Sequence, residues 1–498
     1  MTSVSNASEE KNLVIGAGPA GLTAAWELAR NDRRVHVLES DPTYVGGIAR
    51  TVEYKGNRFD MGGHRFYSKS DHVNALWKEM LPEGFIQVPR LSRIYYDKKF
   101  FPYPIEARET LRQLGIFRSM SIGLSYLYAR LFPRKPEASF EDWITNRFGS
   151  ELYHTFFKTY TEKVWGIPCD KINKDWAAQR IRGLSLLGAL KNALFPPKGN
   201  SDIKTLIKTF TYPRLGPGQL WESVRDQVLA KGNTLELNKT VVKLNHADGW
   251  MTSVETQDGS VYEADHFYVT MTLRDLIAGL NPAPPAEVRH AAKSLLYRDF
   301  LTVALVVNRE NLFPDNWIYI HDPGVHVGRI QNYKNWSKAM MANQAQTCLG
   351  MEYFCNRGDD VWETRDEELI RLAGREVEAI GLAKASDCVD GCVVRIPNAY
   401  PVYDGDYKRH RETIRDWLNG HFKNVYPAGR GGLHNYNSQD HAMMAAVLAV
   451  RSMEEGQRHD VWSINTDEEY AEVGSGQKEI EQRLVPRRIE TRETADMA

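Results

Sequence analysis

Hydrophobic and polar residues follow different patterns in different parts of the chain, and each pattern predicts its own kind of element. Residues 12–39 begin with an apolar run, continue through a glycine-rich turn into an alanine-rich helical stretch, and end in a second apolar run. Residues 70–200 have helical periodicity instead, most clearly in 106–131 and 140–160. The first pattern is the opening of an α/β nucleotide-binding fold, and the second predicts a mostly helical insertion.

The second half of the chain carries strand patterns. Residues 235–244 and 253–269 alternate between apolar and polar side chains and have two Asp-Gly turn signals close by, which indicates antiparallel strands. Residues 298–355 contain further β-rich runs, which we expect to form a second wall of a cleft. From residue 424 onward the strand-to-helix pattern returns, with a helix expected over 439–453.

These patterns predict an α/β fold in which a Rossmann-like nucleotide-binding domain carries an inserted helical domain and a β-sheet substrate domain. A chain of 498 residues is longer than one hydrophobic core usually supports, so several domains are expected. The boundaries that we expect are a disordered lead over 1–10, a nucleotide-binding domain over 11–70, 200–275 and 420–456, a mostly helical substrate domain over 71–199, a β-sheet-rich substrate domain over 276–419, and a charged tail over 466–498.

Composition and charge narrow the classes of function. The 63 lysines and arginines balance 64 aspartates and glutamates, so no overall field attracts nucleic acid or an anionic membrane. No run of about 18 apolar residues occurs, and we therefore expect no integral membrane segment. The five cysteines include no CxxC pair, and the sequence starts without a signal peptide, which predicts a reduced, cytoplasmic protein without a metal site.

A glycine turn after the first apolar run has the chemistry to bind a dinucleotide. Gly16, Gly18 and Gly21 have the GxGxxG spacing, with Pro19 and Ala20 between the last two. The first glycine permits a tight turn, the second lets the backbone approach a pyrophosphate, and the third allows close helix packing. The following helix N-terminus attracts phosphate charge. A lone glycine triplet often marks an ordinary turn, but here the strand and the helix flank it in the required order.

An acidic residue and a second glycine pair extend this motif. Glu39, eighteen residues after Gly21, ends the next strand, where its carboxylate can accept hydrogen bonds from ribose hydroxyls, and Ser40 follows it. Gly46-Gly47 with Arg50 come shortly afterwards.

Gly62-Gly63-His64 form the next glycine-rich segment. Because FAD is longer than NAD and runs on past the first turn, glycines at these later positions favour FAD, with a plain turn as the alternative at 62–63. We expect the cofactor to touch a further set of residues in later segments, namely Val242, Gly429, Arg430, Gln439, Asp440 and Met443.

At this point the sequence resembles the flavoprotein superfamily that includes amine oxidases, protoporphyrinogen oxidase and UDP-galactopyranose mutase. The resemblance to the mutase branch extends over most of residues 10–455. It is carried by Gly62-Gly63-His64, by residues 163–168 (KVWGIP) with Trp176 and Arg180, and by residues 439–441 (QDH). The resemblance implies an FAD-binding domain of the glutathione-reductase type.

The mutase resemblance also implies a reaction. Such enzymes interconvert pyranose and furanose forms of a nucleotide-diphosphate sugar for cell-surface polysaccharides, with the N5 atom of reduced FAD as nucleophile and no net redox change. Arg180 and Arg329 match the family arginines that hold the diphosphate, and Tyr319 and Tyr400 match its tyrosines. His64 would lie near the flavin as a catalytic group. Structural ion pairs for the arginines, packing for the tyrosines and a backbone contact for the histidine are the alternatives.

One segment departs from the mutase pattern. Residues 429–438 correspond to a family region with a tyrosine and an asparagine near the sugar, but the spacing differs. His434 or Tyr436 could take the tyrosine's place, and Asn437 or Ser438 the asparagine's. The identity of the sugar and of the nucleotide therefore stays open.

Three functions compete at this stage. The first is the redox-neutral mutase, and the second is an FAD-dependent oxidoreductase of the amine oxidase or protoporphyrinogen oxidase type. A flavin-carrying scaffold is the third. The pair Arg180 and Arg329 favours the mutase, since an oxidase of a neutral substrate needs no such pair. No second GxGxxG occurs, so external NAD(P)H, another reductant or a reductant partner would have to reduce the flavin. The sequence also leaves open whether the protein forms a homo-oligomer.

Overall fold

The computed structural model describes residues 10–105, 107–181 and 209–464. The strands of the described ranges are β1 (Asn12–Ile15), β2 (Val35–Leu38), β3 (Thr51–Tyr54), β4 (Asn57–Asp60), β5 (Phe85–Pro89), β6 (Ser92–Tyr96), β7 (Lys99–Pro102), β8 (Thr209–Pro213), β9 (Thr234–Glu236), β10 (Val241–Ala247), β11 (Trp250–Thr256), β12 (Val261–Glu263), β13 (His266–Val269), β14 (Leu280–Asn281), β15 (Tyr297–Val307), β16 (Trp317–Ile320), β17 (Arg329–Asn332), β18 (Thr347–Cys355), β19 (Cys388–Pro401) and β20 (Val425–Pro427).

Helices connect these strands throughout the described ranges. They are α1 (Pro19–Arg30), α2 (Asp71–Met80), α3 (Ala107–Leu114), α4 (Ile116–Leu131), α5 (Phe140–Phe148), α6 (Ser150–Tyr153), α7 (Thr159–Trp165), α8 (Lys174–Ile181), α9 (Gly218–Ala230), α10 (Leu273–Gly279), α11 (Ala286–Ser294), α12 (Tyr333–Trp336), α13 (Asp360–Glu363), α14 (Asp366–Ile380), α15 (Tyr407–His421), α16 (Gly429–Gly432) and α17 (Gln439–Glu454).

A five-stranded parallel sheet forms the nucleotide-binding part, in the order β20-β13-β1-β2-β9. Its central strand β1 is buried along its whole length, as expected for a parallel strand covered on both faces. Helix α1 packs against α17 and α9, and its alanines allow the close approach. Because all five strands run in the same direction, their carboxyl ends, including the loop after β1, meet at one edge of the sheet.

A seven-stranded mixed sheet forms the other wall, in the order β19-β15-β18-β17-β16-β6-β7. Strand β15 is buried over nearly its full length between β18 and β19, and α14 covers its outer face. Strands β6 and β7 come from residues 92–102, so the segment expected to be mostly helical also contributes an edge of this sheet. Strands β10 and β11 form an antiparallel hairpin within a separate four-stranded sheet, as expected. The prediction was wrong for the outer ends of the runs 235–244 and 253–269, because β9 and β13 pair in parallel with β2 and β1 instead.

The helical segment lies beside the mixed sheet. Helix α5 begins with a capping box, in which Ser139 and Asp142 satisfy each other's backbone N–H groups. A π-helical turn over His154–Lys158 joins α6 to α7. Buried aromatic residues of α5 to α7 pack with those of β15, β16 and β19 in one hydrophobic cluster, so this segment and the mixed sheet share a core.

The prediction of an α/β fold with a parallel sheet and a second substrate-binding sheet is confirmed. All five cysteines are free thiols. Within the described ranges, no cluster of His, Cys, Asp and Glu side chains could hold a metal ion, and no helix is long and apolar enough to cross a bilayer.

Candidate functional site

The glycine turn after β1 is as tight as the sequence predicts. A Cβ atom added to Gly21 would lie 1.8 Å from the carbonyl oxygen of Gly16, so any side chain there would collide with the backbone. The N-cap residue of α1, Gly18, makes no side-chain capping hydrogen bond, and Pro19 opens the helix. The N–H groups of the first turn, including those of Ala20 and Gly21, therefore have no capping side chain and suit a phosphate.

The second glycine pair lies directly against the first turn. A Cβ atom on Gly47 would be 3.2 Å from the Cα atom of Gly18, and the N–H of Gly46 donates to the carbonyl of Ala17 at 2.8 Å. The guanidinium of Arg50 donates to the Gly47 carbonyl at 3.3 Å, and its Nε atom is buried without a partner in the described structure. The two glycine segments thus form one cradle.

Glu39 lies at the same edge, directly after β2. Its carboxylate accepts hydrogen bonds from the Ala17 N–H at 2.5 Å, the Asp41 N–H at 2.8 Å and the Ser40 hydroxyl at 3.1 Å. These contacts hold the acid beside the glycine turn. The cradle fits the adenosine diphosphate half of a dinucleotide, because it offers open backbone N–H groups next to a fixed carboxylate.

Gly62, Gly63 and His64 follow β4 and face the mixed sheet. Gly62 has φ +115°, which favours glycine. A Cβ atom there would lie 3.5 Å from Nη2 of Arg329 and 3.6 Å from Nε2 of His64, so these three residues meet. Burial, together with the charges of Arg430 and Arg329, lowers the pKa of His64 to about 4. The imidazole is therefore neutral near pH 7.

Arg329 is held by a buried acid. It stands opposite Glu352 in the pairing of β17 with β18, and both its Nε and its Nη2 lie 2.5 Å from Oε2 of Glu352. Gln331 donates to the other carboxylate oxygen at 2.8 Å, and the Glu352 side chain is 0% exposed. Burial alone would lower the pKa of Arg329, but the adjacent Glu352 carboxylate raises it well above its ordinary value. The structural ion pair, the alternative weighed for this arginine, is present.

Tyrosines surround this ion pair. Tyr319 of β16 stands opposite Arg329 in the β16–β17 pairing, and its ring packs edge-on against Tyr160 with centroids 5.4 Å apart. Tyr400 and Tyr436 stack nearly in parallel, with centroids 5.6 Å apart. Burial raises the pKa of Tyr160 and of Tyr400, so both hydroxyls stay protonated.

Arg430 is the second cation near His64. Its Cζ atom lies 5.3 Å from the ring centroid of Tyr400 and 4.9 Å from that of Tyr436. Its guanidinium donates to the carbonyls of Asn437 and Ala399 at 2.9 to 3.2 Å. No carboxylate pairs with it among the described residues. Two aromatic faces and neutral carbonyls therefore hold a positive charge that a ligand can use.

Asn437 adds an unsatisfied amide beside this arginine. The residue is 2% exposed, yet neither its Oδ1 nor its Nδ2 has a hydrogen-bond partner in the described structure. Buried polar groups are normally paired, so both atoms are available to a bound molecule.

Several predicted contacts lie away from the cleft. His434 is fully buried, with Nε2 3.4 Å from the Val402 carbonyl and its ring edge-on to Tyr297 at 4.8 Å. Its backbone has φ +44° and turns the ring into the core, so this placement does not support a sugar contact. Met443 is buried too, and its Sδ accepts a hydrogen bond from the Trp77 indole, which makes it a packing residue in this structure.

The remaining predicted contacts lie on or near the nucleotide-binding part. Gln439 begins α17 and accepts a hydrogen bond from the Trp221 indole at 3.0 Å, while Asp440 accepts from Ser68 at 3.0 Å. Gly429 packs on Ala20 of α1, where an added Cβ would be 2.9 Å from the alanine side chain. Val242 is half exposed on β10. The side chain of Arg180 lies outside the described structure.

Sequence reasoning missed two residues of the site. Thr270 directly follows β13 and donates through its hydroxyl to the Ile15 carbonyl at 2.7 Å, which places it against Gly16. The sequence feature that could have indicated Thr270 is its position directly after an apolar strand of the parallel sheet. Glu352 was a single charge within the apolar run 347–355, and such a charge is rarely buried unless it is paired.

Comparisons with known proteins agree with this geometry. Residues 19–453 match the model of the flavin containing amine oxidoreductase family. A 1-hydroxycarotenoid 3,4-desaturase from Flavobacterium sp. (strain P99-3) is 25% identical over 314 residues, which are 58% of this chain and 63% of the desaturase, so the chain spans less than two thirds of that relative's length.

Two solved structures illustrate the range of the fold. A crystal structure of reduced UDP-galactopyranose mutase has a TM-score of 0.77 at 20% identity and covers 90% of this chain and 94% of that one. A crystal structure of a CLA-producing fatty acid isomerase from P. acnes has a TM-score of 0.60 at 15% identity and covers 90% and 99%. At these identities the likeness establishes the fold and no particular reaction.

The family model, in contrast, covers most of the chain and implies FAD as the cofactor, for which the glycine cradle and Glu39 are suited. The chain belongs to the flavin containing amine oxidoreductase family.

Proposed function

We propose that the protein is an FAD-dependent oxidoreductase that oxidises a weakly charged, largely apolar substrate in the cleft between Gly62-Gly63 and the mixed sheet. The single observation that carries this proposal is the ion pair between Arg329 and Glu352. It compensates the charge of one of the two arginines on which the mutase reaction was predicted to depend.

The charge of the cleft argues for this choice. A sugar diphosphate needs cations that hold its phosphate oxygens through charge-assisted hydrogen bonds. Glu352 is 0% exposed, and separating a buried pair leaves an uncompensated charge, which is strongly unfavourable. Arg430 pairs with no carboxylate among the described residues, so its charge can bind the polar end of a substrate. One such charge beside the neutralised Arg329 suits a neutral or singly charged substrate better than a diphosphate.

The lining of the cleft supports an apolar substrate. Tyr319 packs on Tyr160 and Tyr400 stacks on Tyr436, so aromatic rings surround Arg329 and Arg430. Bound flavin supplies the two-electron acceptor. The chain's own groups orient the substrate, because Arg430 and the unsatisfied Asn437 amide can bind its polar end. Neutral His64 keeps its Nε2 atom 3.2 Å from the Met61 carbonyl, which is the backbone contact weighed for it as the alternative. The likeness to a carotenoid desaturase supports a reaction of this class.

The experiment that tests this proposal follows the oxidised flavin. Purified holoprotein is mixed without oxygen with a panel of amines, polyenes and other reduced apolar compounds. We expect at least one of them to remove the visible absorbance of oxidised flavin and to be recovered as its oxidised product. If no compound reduces the flavin, while the dithionite-reduced protein converts UDP-galactopyranose to a furanose, the proposal is wrong.

A pyranose–furanose mutase is the second candidate, and specific contacts favour it. Tyr319 stands opposite Arg329, and Tyr400 and Tyr436 flank Arg430, an arrangement with cations and phenols on two sides. Glu352 occupies Nε and Nη2 of Arg329, which leaves Nη1 for a phosphate oxygen. For a mutase, replacing Arg329 by alanine should weaken nucleotide-sugar binding by on the order of 2 to 5 kcal/mol. Unchanged affinity would remove this candidate.

A further inference from the structure

Helix α4 has an apolar face that points away from the protein. Six of its side chains are between 57% and 88% exposed, namely Ile116, Phe117, Met120, Leu124, Leu127 and Leu131. At about 100° of rotation per residue they fall within a stripe about 100° wide. The opposite side, with Ile122, Tyr126 and Ala129, is buried against the rest of the helical segment. Soluble proteins rarely leave so continuous an apolar surface in water without a use for it.

The surroundings of this stripe are basic. Residues 98–135 contain eight lysines and arginines and two acidic residues, whereas the whole chain is nearly balanced. Within α4 itself the charged residues are Arg118 and Arg130, and both are positive. Arg118 donates to the Tyr96 hydroxyl at 2.8 Å on the buried side of the helix, whereas Arg130 is exposed beside the stripe. The side chain of Arg112, one turn before the helix, is 78% exposed and pairs with Glu109 at 2.9 Å, and Lys135 is exposed just after the helix.

Aromatic residues lie at one end of the stripe. Tyr128 and Phe132 are exposed, with ring centroids 5.2 Å apart. Helices that lie in the plane of a membrane surface combine these features: an apolar face with leucine and aromatic side chains, and lysines and arginines at its borders. Anionic headgroups attract such basic residues by about 1 kcal/mol each near the surface.

We propose that the exposed face of α4 docks the protein onto an anionic lipid bilayer, with the apolar stripe in the headgroup region and the basic residues around it on the lipid phosphates. A second copy of the chain fits this face less well. Two such faces would bring two basic regions together, and the repulsion would oppose the contact. The proposal is independent of the reaction that the flavin cleft performs.

Flotation with lipid vesicles tests the proposal on the full holoprotein. We expect binding to vesicles of phosphatidylcholine mixed with phosphatidylglycerol, little binding to phosphatidylcholine alone, and a fall in binding as salt is raised. Substituting F117S, L124S and L131S together should lower the partition coefficient at least about tenfold, because three apolar side chains leave the interface.

Matched controls keep this test specific. The combination L229S, V261S and V389S also replaces three exposed apolar side chains, but these are scattered over other elements and should leave binding unchanged. The combination R112E and R130E keeps the apolar stripe and should still lower binding to the anionic vesicles several-fold. The thermal unfolding midpoint of each variant checks that it is folded.

Two results would overturn the proposal. One is a wild-type protein that floats with neither kind of vesicle. The other is a wild-type dimer in size-exclusion chromatography that the α4 serine variant converts to a monomer, because a second copy would then cover the face.

Discussion

The two ends of the cleft are built by different kinds of contact. At the nucleotide end, Gly18 and Gly47 touch through backbone atoms, and Glu39 binds backbone N–H groups of the same turn. At the substrate end, the Glu352 side chain of a neighbouring strand positions Arg329, and the carbonyls of Ala399 and Asn437 position Arg430. The backbone therefore fixes where a cofactor can bind, while charge pairing between side chains decides what can bind beside it.

The largest effect is expected from a substitution at the nucleotide end of the cleft. Replacing Gly21 by alanine should destabilise the protein by more than about 4 kcal/mol and abolish flavin binding, since the new Cβ would meet the Gly16 carbonyl at 1.8 Å. Urea unfolding and the ratio of flavin to protein absorbance measure both effects.

Gly123 is the matched control, because nothing lies within 4 Å of a Cβ added there in the exposed helix α4. Gly123→Ala should be neutral or stabilising by about 0.5 to 1 kcal/mol. Equal effects of the two variants would contradict the account.

The next largest effect is expected from a substitution at the substrate end. Glu352→Gln should cost roughly 3 kcal/mol of folding stability, because Arg329, with its side chain 18% exposed, would keep its charge without a counterion. Chemical denaturation gives the value. Glu53→Gln is the control, since Glu53 pairs with Arg58 at 3.2 Å on the surface and should change stability by less than about 1 kcal/mol. A Glu352 variant as stable as the control would show that the pair is weak.

Two buried histidines make the folding stability of the protein depend on pH. The pKa of His64 is lowered to about 4 and that of His434 to about 3, in each case mainly by burial. A lowered histidine pKa means that the unfolded chain binds a proton first, so stability is lost as the pH falls from about 6.5 toward the folded value. In the His64→Asn variant, the loss of folding stability between about pH 6.5 and pH 4 should be smaller by on the order of 2 kcal/mol.

The flavin spectrum separates the two histidines. His434→Asn should also reduce the pH dependence of unfolding, but only His64 lies beside Gly62, so only His64→Asn should alter the pH dependence of the bound flavin's absorbance. A matching change in the His434 variant would place that residue at the cleft after all.

The smallest effect concerns a single hydroxyl. Tyr319→Phe keeps the ring contacts with Tyr103 and Tyr160 and removes one donor. We expect a loss of stability below about 1.5 kcal/mol and a nearly unchanged KM for a neutral substrate, as measured by steady-state kinetics. A large rise in the KM for a nucleotide sugar would favour the mutase instead.

The same contrast explains how far the sequence could be interpreted. The glycine turn, Glu39 and the parallel sheet depend on short-range spacing and on hydrophobic period, both of which the sequence displays directly. The pairing of Arg329 with Glu352 depends on the register between β17 and β18, and the inward turn of His434 depends on one backbone angle. Neither is visible in a single sequence, although a lone acid within the apolar run 347–355 was a usable signal.

The central claim is that Glu352 neutralises Arg329 and thereby turns the cleft away from diphosphates. Titration of the holoprotein with UDP, followed by calorimetry, tests it most directly. We expect weak binding to the wild type and an affinity at least about tenfold higher for Glu352→Gln, in which Arg329 is free to pair with phosphate. Tight binding of UDP to the wild type, unchanged in the variant, would contradict it.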